Sequence, residues 1–196
     1  MTAYLIGIAG PKGSGKTHIA RMLERMDYRH VAFAAPIKRM LVSLYGHRLT
    51  FDGPEKEDAV VLPHGVSTRQ LLQSLGDWGR DIDPDFWVNH IAERREWVRK
   101  FVGSDTKFVV ADVRYDNEAD WIRAEGGIIL RIEAEYPSPP RSLDIGILRI
   151  EVKYEYTNEH SSECGITPHP NDVVLDPSVY WGDDTALERI LRGIIQ

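Results

Sequence analysis

Residues 10–17 read GPKGSGKT, which fits the pattern G-x-x-x-x-G-K-[ST] at every fixed position. Gly10, Gly13 and Gly15 let a backbone wrap an anion with its N–H groups turned inward. Pro11, Lys12 and Ser14 complete the loop. It opens a helix whose positive N-terminus also favours a phosphate. Lys16 is the residue type that reaches β- and γ-phosphates, and the Thr17 hydroxyl can sit on Mg²⁺. The flanks suit this reading. Residues 4–9 (YLIGIA) are a short apolar strand, and Ile19, Ala20, Leu23 and Met26 recur at helical spacing over 16–26.

Working outward, residues 29–34 form a second short strand. Pro36 opens a helix with Ile37, Met40, Leu41 and Leu44 on one face. Residues 46–66 read as a loop. Ser67 and Gln70 make a capping box for a helix to about Gly79. Asp83-Pro84 reads as cap and first residue of another helix, to about Phe101. Lys107–Asp112 is a buried strand, and Asp116 or Asn117 caps a helix ending at Gly126-Gly127. Strands at 128–132 and 172–175 follow, then a helix from Asp183. Strands alternating with helices predict an α/β fold with a parallel sheet covered on both faces. Residues 36–102 and 133–171 interrupt the alternation. Within the latter, Ile150, Val152, Tyr154 and Tyr156 alternate with charged residues, as in a half-exposed strand of a hairpin.

The 196 residues suit one domain with a full core, with approximate inserts at 36–102 and 133–171. A net charge of −6 argues against stable nucleic-acid binding. No apolar run approaches a membrane span, and no leader is visible. The single cysteine, Cys164, excludes an internal disulfide and fits a reducing cytoplasm. The histidines show no tight metal spacing.

Asp112 ends an apolar strand, where an aspartate either orders a Mg²⁺ shell or simply marks the strand's end. Arg114 leaves the same face two residues on, either as a phosphate-neutralising guanidinium or as a surface arginine. Arg69, Gln73, Asp77 and Arg80 fall on one helical stripe. Either it faces solvent, or its arginines grip a phosphate and Gln73 reads a base edge. The apolar face of that helix is Leu71, Leu72 and Leu75. Trp78, Trp87, Trp97 and Trp121 read as packing residues, with Trp87 also a candidate pocket wall.

Taken in order, GPKGSGKT at 10–17, FAAPIK at 33–38, TRQLLQSLGDWGR at 68–80 with Trp87 beyond, VVADVRYDNEADWIRAEGG at 109–127 and HSSE at 160–163 resemble the bacteriophage deoxynucleoside monophosphate kinases. Asp112, Arg114, Asn117 and Glu118 carry the most distinctive string, followed by Arg69, Gln73, Gly76 and Arg80. The resemblance implies a P-loop three-layer sandwich: a five-stranded parallel sheet, a helical monophosphate-binding insert and a lid. It implies ATP with Mg²⁺ as donor and a deoxynucleoside monophosphate as acceptor, in the cytoplasm of a host if phage-encoded, and leaves a homodimer open. It gives catalysis to Lys16, Arg80 and Arg114. ATP falls to Pro11 through Thr17, and the acceptor to Lys38, Arg69, Gln73, Asp77, Arg80, Trp87 and Asp112. The metal falls to Thr17 and Asp112. Glu133-Ala134-Glu135 stands where the family often has a lid arginine, so Arg131, Arg141 and Arg149 are the candidates. Rival readings are another P-loop small-molecule kinase, of the dephospho-coenzyme A or phosphomevalonate type, and a regulatory nucleotide-binding protein.

Overall fold

The computed structural model of the chain describes residues 4–46, 49, 51, 65–132 and 165–196. In chain order the elements are β1 (Leu5–Ala9), α1 (Lys16–Arg25), β2 (Tyr28–Val31), α2 (Ala35–Tyr45), α3 (Thr68–Ile82), α4 (Phe86–Phe101), β3 (Lys107–Val113), α5 (Asp116–Ala124), β4 (Ile128–Ile132), β5 (Val173–Leu175) and α6 (Asp184–Ile195). The five strands form one parallel sheet in the order β2-β3-β1-β4-β5. All five residues of β1 are buried, as a central strand covered on both faces requires.

On one face Ile6 and Ile8 of β1 pack with Val109, Leu130 and Ile132 against Ile19 and Leu23 of α1 and Leu187 and Leu191 of α6. Each such side chain contributes about 1.5–3 kcal/mol by leaving water. The other face is narrower at Gly7. A Cβ there would lie 2.6 Å from Ile129 Cδ1, 2.7 Å from Ile122 Cδ1 of α5 and 3.1 Å from Val113 Cγ2. At the turn into β4, a Cβ on Gly127 would meet the carbonyl oxygens of Leu5 at 2.7 Å and Ile122 at 2.8 Å.

Contacts divide the chain into two compact units, Met1–Arg29 with Lys107–Gln196, and His30–Thr106. The first holds most of the sheet with α1, α5 and α6. The second holds α2, α3 and α4, where Arg39 of α2 faces His90 of α4 at 3.3 Å.

Several expectations change in detail. The second strand spans Tyr28–Val31 rather than 29–34, and α3 runs on to Ile82. Asp83 is the C-cap of α3, and Asp85 is the N-cap of α4. The Asp83 carboxylate accepts the Asp85 N–H at 2.9 Å, an Asx-type turn that imitates a cap two residues early. Tyr115, not Asp116 or Asn117, is the N-cap of α5. On α3 the buried residues are Thr68, Gly76 and Gly79, while Leu71, Leu72 and Leu75 are only half-buried. Trp87 is buried, but Trp78 and Trp97 are exposed. The half-exposed strand read through Ile150, Val152, Tyr154 and Tyr156, HSSE, Arg141 and Arg149 lie outside the described residues.

Candidate active site

Strand β1 is central: the chain leaves it for β2 and β3 on one side, then for β4 and β5 on the other. The carboxyl end of such a strand is where open α/β sheets bind ligands. The loop that leaves it needs its glycines. Gly10, Gly13 and Gly15 have φ of +157°, +82° and +87°. A Cβ at Gly10 would also meet Ser14 Oγ at 2.9 Å and Ile132 Cβ at 3.0 Å, so the loop closes against its own buried serine. Pro11, Lys12 and Gly13 are exposed, and Gly15 and Lys16 half-buried. The Lys16 ammonium donates to the carbonyls of Gly10 and Pro11, both at 2.6 Å, and so lies across the loop. Gly15 is the N-cap of α1 and makes no side-chain cap, and no acidic residue occupies the first turn. The positive end of α1 thus carries no acid of its own, which suits an anion. Thr17, second in the helix, is exposed.

The neighbouring strand supplies the next groups. Gly7 pairs with Val110, but Ala9 pairs with Val113. Only Ile8 lies between on β1, against Ala111 and Asp112 on β3, so β3 carries a bulge. Ala111 packs on the α1 face with Ile6 and Ile8, whereas Val113 packs on the opposite face beside Gly7. In an unbroken strand these two would share a face. The bulge re-phases the strand end at half-buried Asp112, just before half-buried Arg114. Beyond it, the buried carboxylate of Glu118 accepts the backbone N–H groups of Arg114 at 2.7 Å and Tyr115 at 3.2 Å. This fixes the backbone from which the Arg114 side chain springs.

Arg131 is the one lid candidate among the described residues. It sits in β4 beside Ala9, and its Nε is 3.9 Å from Asp172 Oδ2. The buried Asp172 carboxylate also takes two N–H groups of Arg123, at 2.8 and 3.1 Å, a structural tie between α5 and the approach to β5.

In the second unit, Arg69, Gln73, Asp77 and Arg80 are all half-buried on α3. Asp77 Oδ1 accepts from Arg80 Nη2 at 2.8 Å. The indole N–H of Trp87 donates to the Gly76 carbonyl at 2.8 Å, and Trp87 is 4% exposed. Lys38, in the first turn of α2, lies with its ammonium 5.6 Å from the Phe51 ring centre. The predicted residues thus gather as two sets, the loop with Asp112 and Arg114 in one unit and the α3 stripe with Trp87 and Lys38 in the other. The roles of Glu118, Gly76 and Gly79 were not anticipated from sequence. Glycines three apart inside a helical pattern are the signal that could have shown the last two.

Among the described residues, no group of three or more His, Cys, Asp or Glu could hold a metal ion, and no helix is long and apolar enough to cross a membrane. No protein-family model matches the chain. Over 141 residues, 66% of this chain and 73% of the other, it is 30% identical to a protein of Acanthamoeba polyphaga mimivirus provisionally named a deoxynucleotide monophosphate kinase. With that likeness and a five-stranded parallel sheet carrying a glycine-rich loop at its central strand, the chain belongs to the deoxynucleotide monophosphate kinase family.

Proposed function

We propose that this protein transfers the γ-phosphoryl group of ATP to the 5′-phosphate of a deoxynucleoside monophosphate, giving the diphosphate and ADP. The observation that carries the proposal is the loop 10–17 at the carboxyl end of β1, beside the bulged strand end that bears Asp112 and Arg114. The name of the mimivirus relative supports the class of acceptor. The bacteriophage affiliation rests on the motif set quoted above.

In this reading the loop N–H groups and the start of α1 bind the β- and γ-phosphates. Lys16 exchanges its two carbonyl partners for phosphate oxygens, which are better acceptors because they are charged. Arg114 neutralises charge that builds on the transferring group. The α3 stripe holds the acceptor phosphate, with Arg80 as its principal guanidinium. The attacking oxygen is already anionic, so no strong general base is needed, and rate comes from positioning and charge neutralisation.

Magnesium fits the residues available. Thr17 and Asp112 offer hard oxygen donors, and the described residues hold no larger ligand cluster. That suits an ion which prefers phosphates and waters with one or two protein oxygens. When bound, it would offset the negative charge of the phosphates.

The test is turnover with ATP·Mg and a panel of deoxy- and ribonucleoside monophosphates, dephospho-coenzyme A and phosphomevalonate. Production of deoxynucleoside diphosphate at the highest kcat/KM is expected. Preference for another acceptor would overturn the substrate assignment. Nucleotide binding without turnover on any acceptor would favour a regulatory protein.

A further inference from the structure

Gly76 lies inside α3, between Leu75 and Asp77, and does not have a positive φ. Its backbone is therefore open to any residue, and alanine would make the better helix. Glycine there needs another reason, and its surroundings supply one. A Cβ on Gly76 would lie 2.9 Å from Arg80 Nη2 and 3.6 Å from both Cζ and Nη1. Those are the three nearest atoms, all of one guanidinium, which therefore rests on the bare Cα of Gly76.

Two further contacts fix that arrangement. Asp77 Oδ1 holds the same Nη2 at 2.8 Å. On the carbonyl side of Gly76, the Trp87 indole N–H donates at 2.8 Å. The indole in turn needs a second glycine. A Cβ on Gly79 would lie 2.6 Å from Trp87 Cε2 and Cζ2 and 2.8 Å from Nε1. So Gly79 seats Trp87, Trp87 pins Gly76, and Gly76 seats Arg80. The Arg80 side chain is 22% exposed, enclosed along most of its length but reaching the surface.

We propose that Gly76 is the seat that presents the Arg80 guanidinium to the acceptor phosphate, with Asp77 and Trp87 as positioning residues for it. This rests on the assignment of α3 to the acceptor. The guanidinium is planar and binds a phosphate through two parallel N–H groups only when its plane is correctly set. A seat that fixes the plane before the ligand arrives removes part of the ordering cost of binding. Trp87 then acts through Gly76 and Arg80 and not by stacking on a base.

Gly76→Ala separates this role from a purely structural one. The clashing atoms are the end of a flexible side chain, so the helix can keep the alanine while the guanidinium moves. The expected result is an unfolding temperature equal to or above wild type, because alanine favours the helix. The KM for deoxynucleoside monophosphate should rise about tenfold, with the KM for ATP changed less than about twofold. In an Arg80→Ala background, Gly76→Ala should add less than about twofold, because the two act as one unit. An unchanged monophosphate KM, equal rises for both substrates, or the same increment without Arg80 would each overturn the seat. Asp77→Ala, which deletes the oxygen that holds Arg80 Nη2, gives the same decision, alone and with Arg80→Ala, if Gly76→Ala does not fold: a selective rise that disappears without Arg80 supports the proposal, and no rise overturns it. Wild-type protein that turns over no monophosphate would remove both this and the acceptor assignment. Turnover with a normal KM in Gly76→Ala would remove only the seat.

Discussion

The carboxylate of Glu118 accepts the backbone N–H of Arg114 at 2.7 Å, and a single oxygen, Oε2, also takes the N–H of Tyr115 at 3.2 Å. Glu118 is 4% exposed, so few waters can replace it. Glu118→Ala should leave two enclosed donors unsatisfied and cost about 1–3 kcal/mol. Glu118→Gln keeps an oxygen that can accept both bonds and should lose much less. Urea denaturation of the two variants checks this. Equal losses would assign the stabilisation to the charge of Glu118 and not to the clamp on Arg114.

Lys16 now bonds to Gly10 and Pro11, two neutral carbonyls of its own loop. Its removal should disturb the fold little. Lys16→Ala should keep its circular dichroism and lose on the order of 100-fold or more in kcat, the scale of a deleted charge-stabilising group. Near-normal turnover by that variant would sink the kinase reading.

Gly127 differs from Gly76 in what opposes it. The atoms near its missing Cβ include the Leu5 and Ile122 carbonyl oxygens, at 2.7 and 2.8 Å. Backbone cannot swing aside as a side chain can. Gly127→Ala should therefore destabilise by about 1–3 kcal/mol or more through forced displacement of β1 or α5. Thermal unfolding compared with Gly126→Ala is informative. Gly126 has a φ of +72° with open space around it, so its cost arises from backbone strain alone.

These contrasts show what was legible in the sequence. The loop at 10–17 was readable because its chemistry is local, and so were the capping box at Ser67 and the start of the last helix at Asp183. The Ser67 box with Gln70 forms at 3.1 and 2.9 Å, and Asp183 accepts from Thr185 and Ala186 at 3.0 Å each. The start of α4 was misread because Asp83 makes a cap-like turn of its own. The cap of α5 was misread because tyrosine is no customary N-cap, and Glu118 does the bonding three residues on. The bulge at Ala111-Asp112 exists only in the register between β1 and β3, which no local pattern encodes. The link from Trp87 to Gly76 spans 11 residues and two helices, so neither helix announces it. The spacing of Arg69, Gln73, Asp77 and Arg80 predicted a shared stripe, but not the bare glycine under Arg80.

His90 gives the α2–α4 pairing a pH dependence. Burial pushes its pKa below the ordinary 6.5, and the Arg39 guanidinium adds to the lowering. The fold thus favours neutral His90, whose Nε2 lies 3.3 Å from Arg39 Nη2. Between the lowered folded pKa and the unfolded value, the unfolded chain binds more protons. The contribution is therefore full above about pH 6.5 and is lost as pH falls through the folded pKa. Stability measured from pH 7.5 to 5 should decline more steeply in wild type than in His90→Gln. Parallel profiles would show that His90 is not the group responsible.

A ribose 2′-hydroxyl is a small group, and rejection by bulk or by an apolar wall is worth about 1–3 kcal/mol. A preference for deoxynucleotides should thus be partial. The sequence suggested Trp87 as part of that wall, yet its indole is buried and its N–H is committed to Gly76. Trp87→Phe retains most of the ring volume and deletes that one bond. It should weaken use of matched deoxy- and ribonucleoside monophosphates alike, leaving the ratio of their kcat/KM values within about twofold of wild type. A change in the ratio would mean that Trp87 meets the sugar directly. A wild-type preference for the ribonucleotide would show that the deoxynucleotide assignment is wrong.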